Sequence, residues 1–399
     1  MTIKYNNLKR IIGLILLPLS FISYRNKKIW LFGSNMGYTG NAKHLYIYVN
    51  ENYKDKLKPY WISDSKHEIN KLKSLGLPTA YKWSVKGLYL ALRAKVFLYN
   101  SYISDVNEYT FGNVVRFNLW HGVALKHIER TKKNPDKKYI TKNPFVKFRY
   151  FRFLIKPTYV LTSSPEQTEL FSRSFAVHQN RCVECTYPRN EILKLELPEL
   201  RSYINRNEYN PQILMLFDKI NEYDNRFIYM PTWRDSGRNF LDQIGLDLVK
   251  LNNILKEING CVLFKLHPAT KLIVDVNKLS NIILLNRNID IYPLLPLTDC
   301  LITDYSSIYF DYVLMNKKQI MFYIPDYEEY ISGDRDFAFS FEESIEGKKV
   351  FNFDELTRSI KNFNNSSNNS PSLYNNKKFW DPKLRGNKEL VNYIVEAIN

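Results

Sequence analysis

Two histidines stand directly after apolar runs: His121 closes "VVRFNLWHG" and His267 closes "CVLFKLHP". An imidazole in such a place can take a proton from a hydroxyl at neutral pH, because its ordinary pKa lies near 6.5. Two further stretches have the same placing. Thr232 and Trp233 follow the run that ends at Met230, and Ser306 and Ser307 follow "CLITDY" and open a helical pattern. Paired serines at a helix start offer hydroxyls and unsatisfied backbone N–H groups, which suit the phosphates of a nucleotide diphosphate. Ser306 by itself reads first as an ordinary N-cap, and a strand-end histidine before proline is more often a structural residue. The set says more than any member.

These residues need elements that present them together. Short apolar runs alternate with amphipathic stretches along the chain. "KIWLFGS", "PYWIS", "KVFLYNS", "VVRFNLWHG" and "YVLTSS" read as buried strands, with helical spacing in "AKHLYIYVNENY", "KHEINKLKSLG" and "SVKGLYLALRA" between them. The second half repeats the habit with strands "RFIYMPTW", "CVLFKLHP", "NIILLN", "DCLITDYSS" and "QIMFYIP". Its helices are "LDLVKLNNILKEI" and "SSIYFDYVLMN". Such alternation predicts an α/β fold of parallel sheets with crossover helices. Two rounds of it predict two Rossmann-like domains facing a central cleft, with chemistry at the carboxyl ends of the strands. The division falls within 192–212, giving 26–200 and 201–399 behind an N-terminal segment, 1–25. Residues 361–378 read as a solvated Asn/Ser-rich loop. The last amphipathic stretch, "NKELVNYIVEAI", fits against either domain.

At 399 residues with 45% hydrophobic content, the chain has the material for two cores. Its formal charge of +17 calls for an anionic partner: nucleic acid, anionic lipid or a phosphate-rich substrate. Four cysteines do not make a disulfide framework. Cys182 and Cys185 form a C-x-x-C without a second pair at metal-site spacing, so reduced thiols are expected. The apolar stretch from Ile11 to Ser23 is too short to span a bilayer, for which about 20 residues are needed. Flanked by Lys9, Arg10, Arg25, Lys27 and Lys28, it reads as a membrane-interface segment or a buried helix. Residues 132–156 carry nine Lys/Arg against one Asp, interleaved with Phe145, Phe148, Tyr150, Phe151 and Phe153. That mixture suits an anionic membrane interface; a solvated basic loop over an aromatic core has the same composition.

The motifs "LWHGVALK", "YPRNEIL", "YMPTWRDSG", "FKLHP" and "LITDYSSIYFDYVLMNK", in this order, resemble those of the CDP-glycerol:polyol-phosphate glycerophosphotransferases, which build teichoic acids and related capsular polymers. "KKIWLFGSNMGYTGNAKHLY" and "DRDFAF" extend the likeness over about residues 28–357. The resemblance implies a GT-B-like fold that transfers glycerol phosphate from CDP-glycerol to an acceptor hydroxyl and releases CMP. By the same resemblance His121 and His267 are catalytic. Trp120, Gly122, Val123, Ala124, Arg189, Thr232, Trp233, Lys265, Leu266, Ser306, Ser307 and Asp311 contact substrate. The implied partners are CDP-glycerol, a polyprenyl-linked saccharide or polyol-phosphate acceptor, and an anionic membrane surface on the cytoplasmic face; nucleic acid is not expected. No cofactor is implied, and a divalent cation is compatible with the pattern. Thr186 stands where the family has glycine, Glu191 where it has Asp, and Asp336 where it has the glycine after Arg335. The long N-terminal module of the polymerases does not appear, which bears on processive polymerisation more than on transfer. Ribitol phosphate from CDP-ribitol is the near alternative. A GT-B sugar transferase or epimerase is a more distant one, and a non-catalytic basic binder another.

Overall fold

The apolar runs become parallel sheets in the protein, which is represented by a computed structural model describing residues 2–232, 244–266, 278–286, 289–315, 317–332, 336–364, 377–381 and 383–399. The first sheet contains β1 (Asn26–Gly33), β2 (Lys58–Ser63), β3 (Thr79–Tyr81), β4 (Ala94–Tyr99), β5 (Val115–Asn118), β6 (Tyr159–Thr162) and β7 (Cys182–Glu184). Their order is β3-β2-β1-β4-β5-β6-β7, all parallel. The second sheet contains β8 (Asn225–Met230), β9 (Gly260–Phe264), β10 (Ile282–Leu284), β11 (Cys300–Thr303), β12 (Gln319–Tyr323) and β13 (Lys348–Val350), in the order β10-β9-β8-β11-β12-β13. Trp30, Leu31, Phe32, Phe97 and Leu98 are fully buried, as strands covered by helices on both faces must be. The α/β expectation holds. Three strands escape the sequence pattern: β3, β7 and β13 have three residues each, too few to show a period.

The crossover helices α2 (Gly40–Asn52), α3 (Lys66–Ser74) and α4 (Val85–Arg93) follow β1, β2 and β3. Ser65 caps α3 by accepting from the Glu68 N–H at 3.2 Å, and Ser84 caps α4 by accepting from the Gly87 N–H at 3.0 Å. Ahead of them, α1 (Thr2–Ile22) lies against the first sheet's periphery. Arg25 fixes its end. That buried guanidinium donates to the carbonyls of Ser20, Ala91, Ala94, Thr110 and Gly112 at 2.6–3.2 Å. The Ser20 hydroxyl accepts from the Gly112 N–H at 3.1 Å, and Phe21 meets Phe111 edge to face. Leu8, Ile11, Ile15 and Leu19 remain exposed. Among the described residues no helix is long and apolar enough to cross a membrane.

The chain forms two compact units. One comprises Met1–Val123, His127–Glu191 and Lys378–Asn399; the other comprises Ala124–Lys126 and Ile192–Lys377. The linear reading put 201–399 together. Contacts instead place Lys378–Asn399 with the first unit, for reasons of hydrogen bonding and ring packing. Ser164 Oγ donates to the Lys378 carbonyl (2.6 Å), the Asp381 N–H to the Ser163 carbonyl (3.0 Å) and Cys185 Sγ to the Arg385 carbonyl (2.8 Å). Tyr393 of the final helix Asn387–Ala397 packs edge-on against Tyr159. Of the two thiols of the C-x-x-C, Cys185 serves this packing, while Cys182 Sγ points to the Thr168 carbonyl at 3.9 Å. Burial pushes both up to about 12, away from the thiolate that redox or metal chemistry needs.

Each sheet reverses its strand order once, between β1 and β4 in the first and between β8 and β11 in the second. A buried aspartate stands at each reversal. Asp105, after β4, accepts from the Asn100 and Ser101 N–H groups at 3.1 and 2.9 Å. Gly33 ends β1 so close that a Cβ there would lie 2.3 Å from the Asp105 carbonyl oxygen; no other residue fits. Burial raises the Asp105 carboxyl to about 6, against the opposing pull of the Ser101 N–H and Lys82. A carboxyl raised in the folded state binds more protons there than when unfolded, so its contribution falls as pH rises between about 4 and 6. The parent protein should therefore lose stability relative to Asp105→Asn across that window, read as urea midpoints at successive pH values. A constant difference between the two would contradict this burial.

Candidate active site

His121 stands at the exit of β5, in a loop whose backbone is held open by asparagines. Trp120 has φ +51, a conformation that costs a non-glycine residue about 1–2 kcal/mol. Three hydrogen bonds hold it there. The Trp120 N–H donates to Asn118 Oδ1 at 2.9 Å, and Asn41 Nδ2 donates to the Leu119 and Trp120 carbonyls at 3.1 and 2.9 Å. The Trp120 ring is buried against Phe171 and Phe175 and lies 4.0 Å, centroid to centroid, from the imidazole. The Trp120 ring thus packs against the imidazole and the two phenylalanines. Strain held by a fixed surround is characteristic of functional loops.

Gly122 follows with φ +135, and a Cβ there would sit 2.6 Å from Arg189 Nη2. The missing side chain lets the guanidinium reach the loop. Arg189 Nη1 donates to the His121 carbonyl at 2.8 Å, its backbone N–H to Asn41 Oδ1 at 3.4 Å, and the Tyr187 hydroxyl donates to the Gly122 carbonyl at 3.1 Å. "LWHG" and "YPRN" are therefore one constellation, with Asn41 of "TGNAKHL" between them.

The His121 imidazole is pushed down to about 4. Desolvation by the packed loop is the main cause and the Arg189 charge adds to it; a hydrogen bond to the Asn100 backbone and the Glu129 carboxylate oppose it. The residue keeps an exposed side, where solvent moderates the lowering, so its direction is what matters. The ring is neutral at pH 7. With one nitrogen donating to the Asn100 carbonyl, the other is left as a proton acceptor. Glu129 is itself fixed by the hydroxyls of Tyr102 (2.6 Å) and Tyr139 and by Lys138 (3.1 Å).

In the second unit, Thr232 leaves β8 and is bound to Asp304 after β11. Its N–H donates to both carboxylate oxygens at 2.8 and 3.0 Å, and its hydroxyl to Oδ1 at 2.6 Å. Ser306 and Ser307 are half-buried two and three residues beyond Asp304, opening the helix Ile308–Tyr312. Among the described residues Ser306 Oγ accepts a long 3.4 Å contact from the Ile308 N–H. Asp311, expected to contact substrate, is fully buried and accepts from the Tyr292 hydroxyl at 2.6 Å. That bond ties the helix after the serines to Tyr292. Lys265, expected beside the pyrophosphate, donates to the Asn286 and Ile289 carbonyls at 3.0 and 2.8 Å. Burial pushes its ammonium down to about 8, against Asp290. Leu266 packs against the unit's core. Trp233, His267 and Arg335 lie outside the described residues.

The structure thus joins Trp120, His121, Gly122 and Arg189 in the first unit, with buried Val123 following. Ala124 groups with the second unit, where the Leu125 carbonyl accepts from the Ala338 N–H at 3.0 Å. Sequence reasoning missed Asn41, Asn100, Asn118 and Glu129 in the first unit and Asp304 in the second. Asn100, Asn118 and Asp304 carried a signal, a polar residue at or just after the end of an apolar strand; Asn41, at the start of a helix, and Glu129, in a short turn, carried none. The departures at 186 and 191 meet each other: Thr186 Oγ1 donates to Glu191 Oε1 at 3.3 Å. The longer carboxylate thereby satisfies the hydroxyl that glycine would lack.

Two doubly wound units, each with polar groups at its strand exits, define an α/β protein of the GT-B kind. The family model for CDP-Glycerol:Poly(glycerophosphate) glycerophosphotransferase matches residues 15–381, and the chain belongs to that family. A teichoic acid poly(glycerol phosphate) polymerase of Bacillus subtilis strain 168 is 26% identical over 392 residues, 93% of this chain and 49% of that protein. The chain thus spans about half the length of that relative. A teichoic acid glycerol-phosphate transferase of Staphylococcus aureus is 26% identical over 350 residues, covering 86% of each chain. The fold matches that of a variant of the wall teichoic acid polymerase TagF at TM-score 0.74 with 21% identity, over 99% of this chain and 96% of that one. A UDP-GlcNAc 2-epimerase from Methanocaldococcus jannaschii aligns at TM-score 0.50 with 10% identity, over 92% of this chain and 99% of that one, a likeness of fold alone.

Replacing Gly122 by Ala should place a methyl group against the Arg189 guanidinium in a backbone region that alanine avoids. We expect a stability loss of about 1–3 kcal/mol in urea denaturation. An unchanged midpoint would show that the loop does not close on Arg189.

Proposed function

We propose that the protein transfers glycerol phosphate from CDP-glycerol to a hydroxyl of a lipid-linked saccharide or growing polyol-phosphate chain. The single observation that carries this is His121: an exposed neutral imidazole on a strained, otherwise buried loop, oriented by Asn100 and backed by Arg189, in a chain of this family. The acceptor oxygen attacks the β-phosphorus of CDP-glycerol while its proton passes to the unprotonated imidazole nitrogen. A phosphodiester forms and the bond to the α-phosphate oxygen breaks, releasing CMP. Charge gathers on the departing phosphate. Arg189, beside His121 in the first unit, is suited to stabilising such charge; considered by itself, the Ser306/Ser307 turn of the second unit is suited to holding a phosphate. The turn's two hydroxyls are half-buried, and Asp311 and Tyr292 fix the helix beneath them.

CDP-ribitol is the second reading. A teichoic acid ribitol-phosphate primase of Bacillus spizizenii strain W23 is 28% identical over 191 residues, 47% of this chain. Glycerol is preferred because the glycerol-phosphate relatives match over a longer share of the chain. Release of CMP from each CDP-polyol in the presence of acceptor separates the two. Turnover of CDP-ribitol alone would reverse the choice.

We also place the enzyme at the cytoplasmic face of the membrane, as a peripheral protein. What supports this is the exposed apolar set Leu8, Ile11, Ile15 and Leu19 on α1, with Phe145 85% exposed nearby in sequence to Lys147 and Arg149. Neutralising Lys147 and Arg149 together should weaken binding to anionic vesicles roughly tenfold or more, at about 1 kcal/mol per charge. Unaltered vesicle binding would reject this placement.

His121→Ala should lower turnover on the order of 10²–10⁴-fold without unfolding the protein. The acid limb of kcat/KM should lie below the ordinary imidazole value of 6.5, toward about 4, because protonation of a depressed imidazole removes the base only at lower pH. Full activity in the alanine variant would remove His121 as the base.

A further inference from the structure

The first unit holds a second concavity, apart from the His121 loop. It is a cavity of about 530 Å³, within the range of roughly 300–1,000 Å³ typical of small-molecule sites. Four adjacent strands contribute to it, each from the loop at its carboxyl end: Trp83 after β3, Asp64 after β2, Asn35 after β1 and Ser104 after β4. The cavity therefore covers the reversal of strand order between β1 and β4, where doubly wound sheets take ligands. His121 leaves β5, the next strand along the same edge. The Asp105 carboxylate links the two places, since it fixes the backbone of Asn100, which in turn holds the imidazole.

The lining has two layers of charge. In the inner layer, buried Lys82 pairs with Glu108 at 3.2 Å and donates to the Ser104 carbonyl at 2.7 Å. Lys9 lies 3.4 Å from Asp64 and above the Trp83 ring. The outer layer is different. Arg10 of α1 lies over Phe148 at 5.2 Å, and Arg152 over Phe153 at 4.7 Å. Among the described residues neither guanidinium pairs with a carboxylate, and both act electrostatically on Tyr109, which packs beside Trp83. Two uncompensated guanidinia beside an aromatic wall and a polar floor suit an anion carrying a polyhydroxyl body. A hydrocarbon or a neutral sugar alone would leave the charges unmatched. Lys9 and Arg10 of the lining belong to α1, and Arg152 and Phe153 follow Phe148 in sequence; both stretches carry exposed apolar side chains.

We propose that this cavity binds the head of the acceptor, a phosphate or diphosphate ester of a sugar or polyol. Its phosphate oxygens meet Arg10 and Arg152, and its polyhydroxyl body lies against Trp83 with hydroxyls on Asp64 and Asn35. An attached lipid would leave along the apolar side of α1. This rests on the transfer reading above and names the place of the second substrate.

The test uses the full chain and, as probe, a water-soluble glycosyl diphosphate with a short prenyl chain, without vesicles. Equilibrium dialysis measures its affinity for the parent, Arg152→Ala, Arg10→Ala and Trp83→Ala. Each arginine variant should lose roughly tenfold or more, the worth of one charge-assisted contact, and Arg152→Lys should recover part of it. In the transfer assay the acceptor KM should rise while the KM for CDP-glycerol stays unchanged. Unchanged probe affinity in all three alanine variants would overturn the proposal. A loss of CDP-glycerol affinity instead would make the cavity a donor site, and unchanged probe affinity with a loss of binding in a separate anionic-vesicle assay would make it a lipid-headgroup site; either outcome also overturns it. Because dialysis needs no turnover, probe binding remains readable if CDP-glycerol proves not to be the donor. Conversely, transfer that is indifferent to these variants sinks this proposal alone.

Discussion

Both units depend on a buried carboxylate at the place where the strand order reverses. In a doubly wound sheet the crossovers leave that point in opposite directions, and the two loops that part there expose backbone N–H groups with no strand partner. Asp105 takes the Asn100 and Ser101 N–H groups, and Asp304 takes the N–H and hydroxyl of Thr232. An unpaired buried carboxylate would be costly, so several donors must converge on it. Convergence of that kind leaves little freedom in the neighbouring loops. Gly33 and Asp105 are pressed to a distance that excludes any side chain.

The chemistry inherits this rigidity. His121 is oriented through the Asn100 backbone that Asp105 fixes, and Trp120 is kept in a left-handed conformation by Asn41 and Asn118. Arg189 can approach only because residue 122 has no side chain. The His121 imidazole is therefore neutral and held in place by the protein itself, the condition under which the proposed proton transfer would need no reorganisation. In the second unit the same logic places Thr232 and the serine turn, with Asp311 and Tyr292 behind them.

The large positive charge has more than one use. Arg25 spends its guanidinium on five backbone carbonyls and Lys265 on two, so these cations organise the chain. Arg10 and Arg152 flank a cavity, and Lys147 and Arg149 adjoin exposed aromatic side chains. Net charge by itself could not separate these roles, because a lysine that holds a loop and one that meets a phosphate look alike in a sequence.

What the sequence determined by itself was the fold class and the ends of the longer strands. Buried parallel strands demand continuous apolar runs, and a polar residue that follows such a run is placed at the carboxyl edge by chain direction alone. His121, Thr232, Ser306 and Ser307 were legible for that reason, and the ordered motifs pointed to the family. The tertiary structure decided which of those residues face outward. Asp311 and Lys265 fit the motif pattern but are committed to Tyr292 and to backbone carbonyls. It also decided that the last helix returns to the first unit, that Thr186 and Glu191 satisfy each other, and that Asn41 bridges two distant motifs. Apart from the Thr186–Glu191 contact, five positions apart, these are pairings across tens to hundreds of positions, and no local period or spacing encodes them. They exist only once the sheets have brought their edges together.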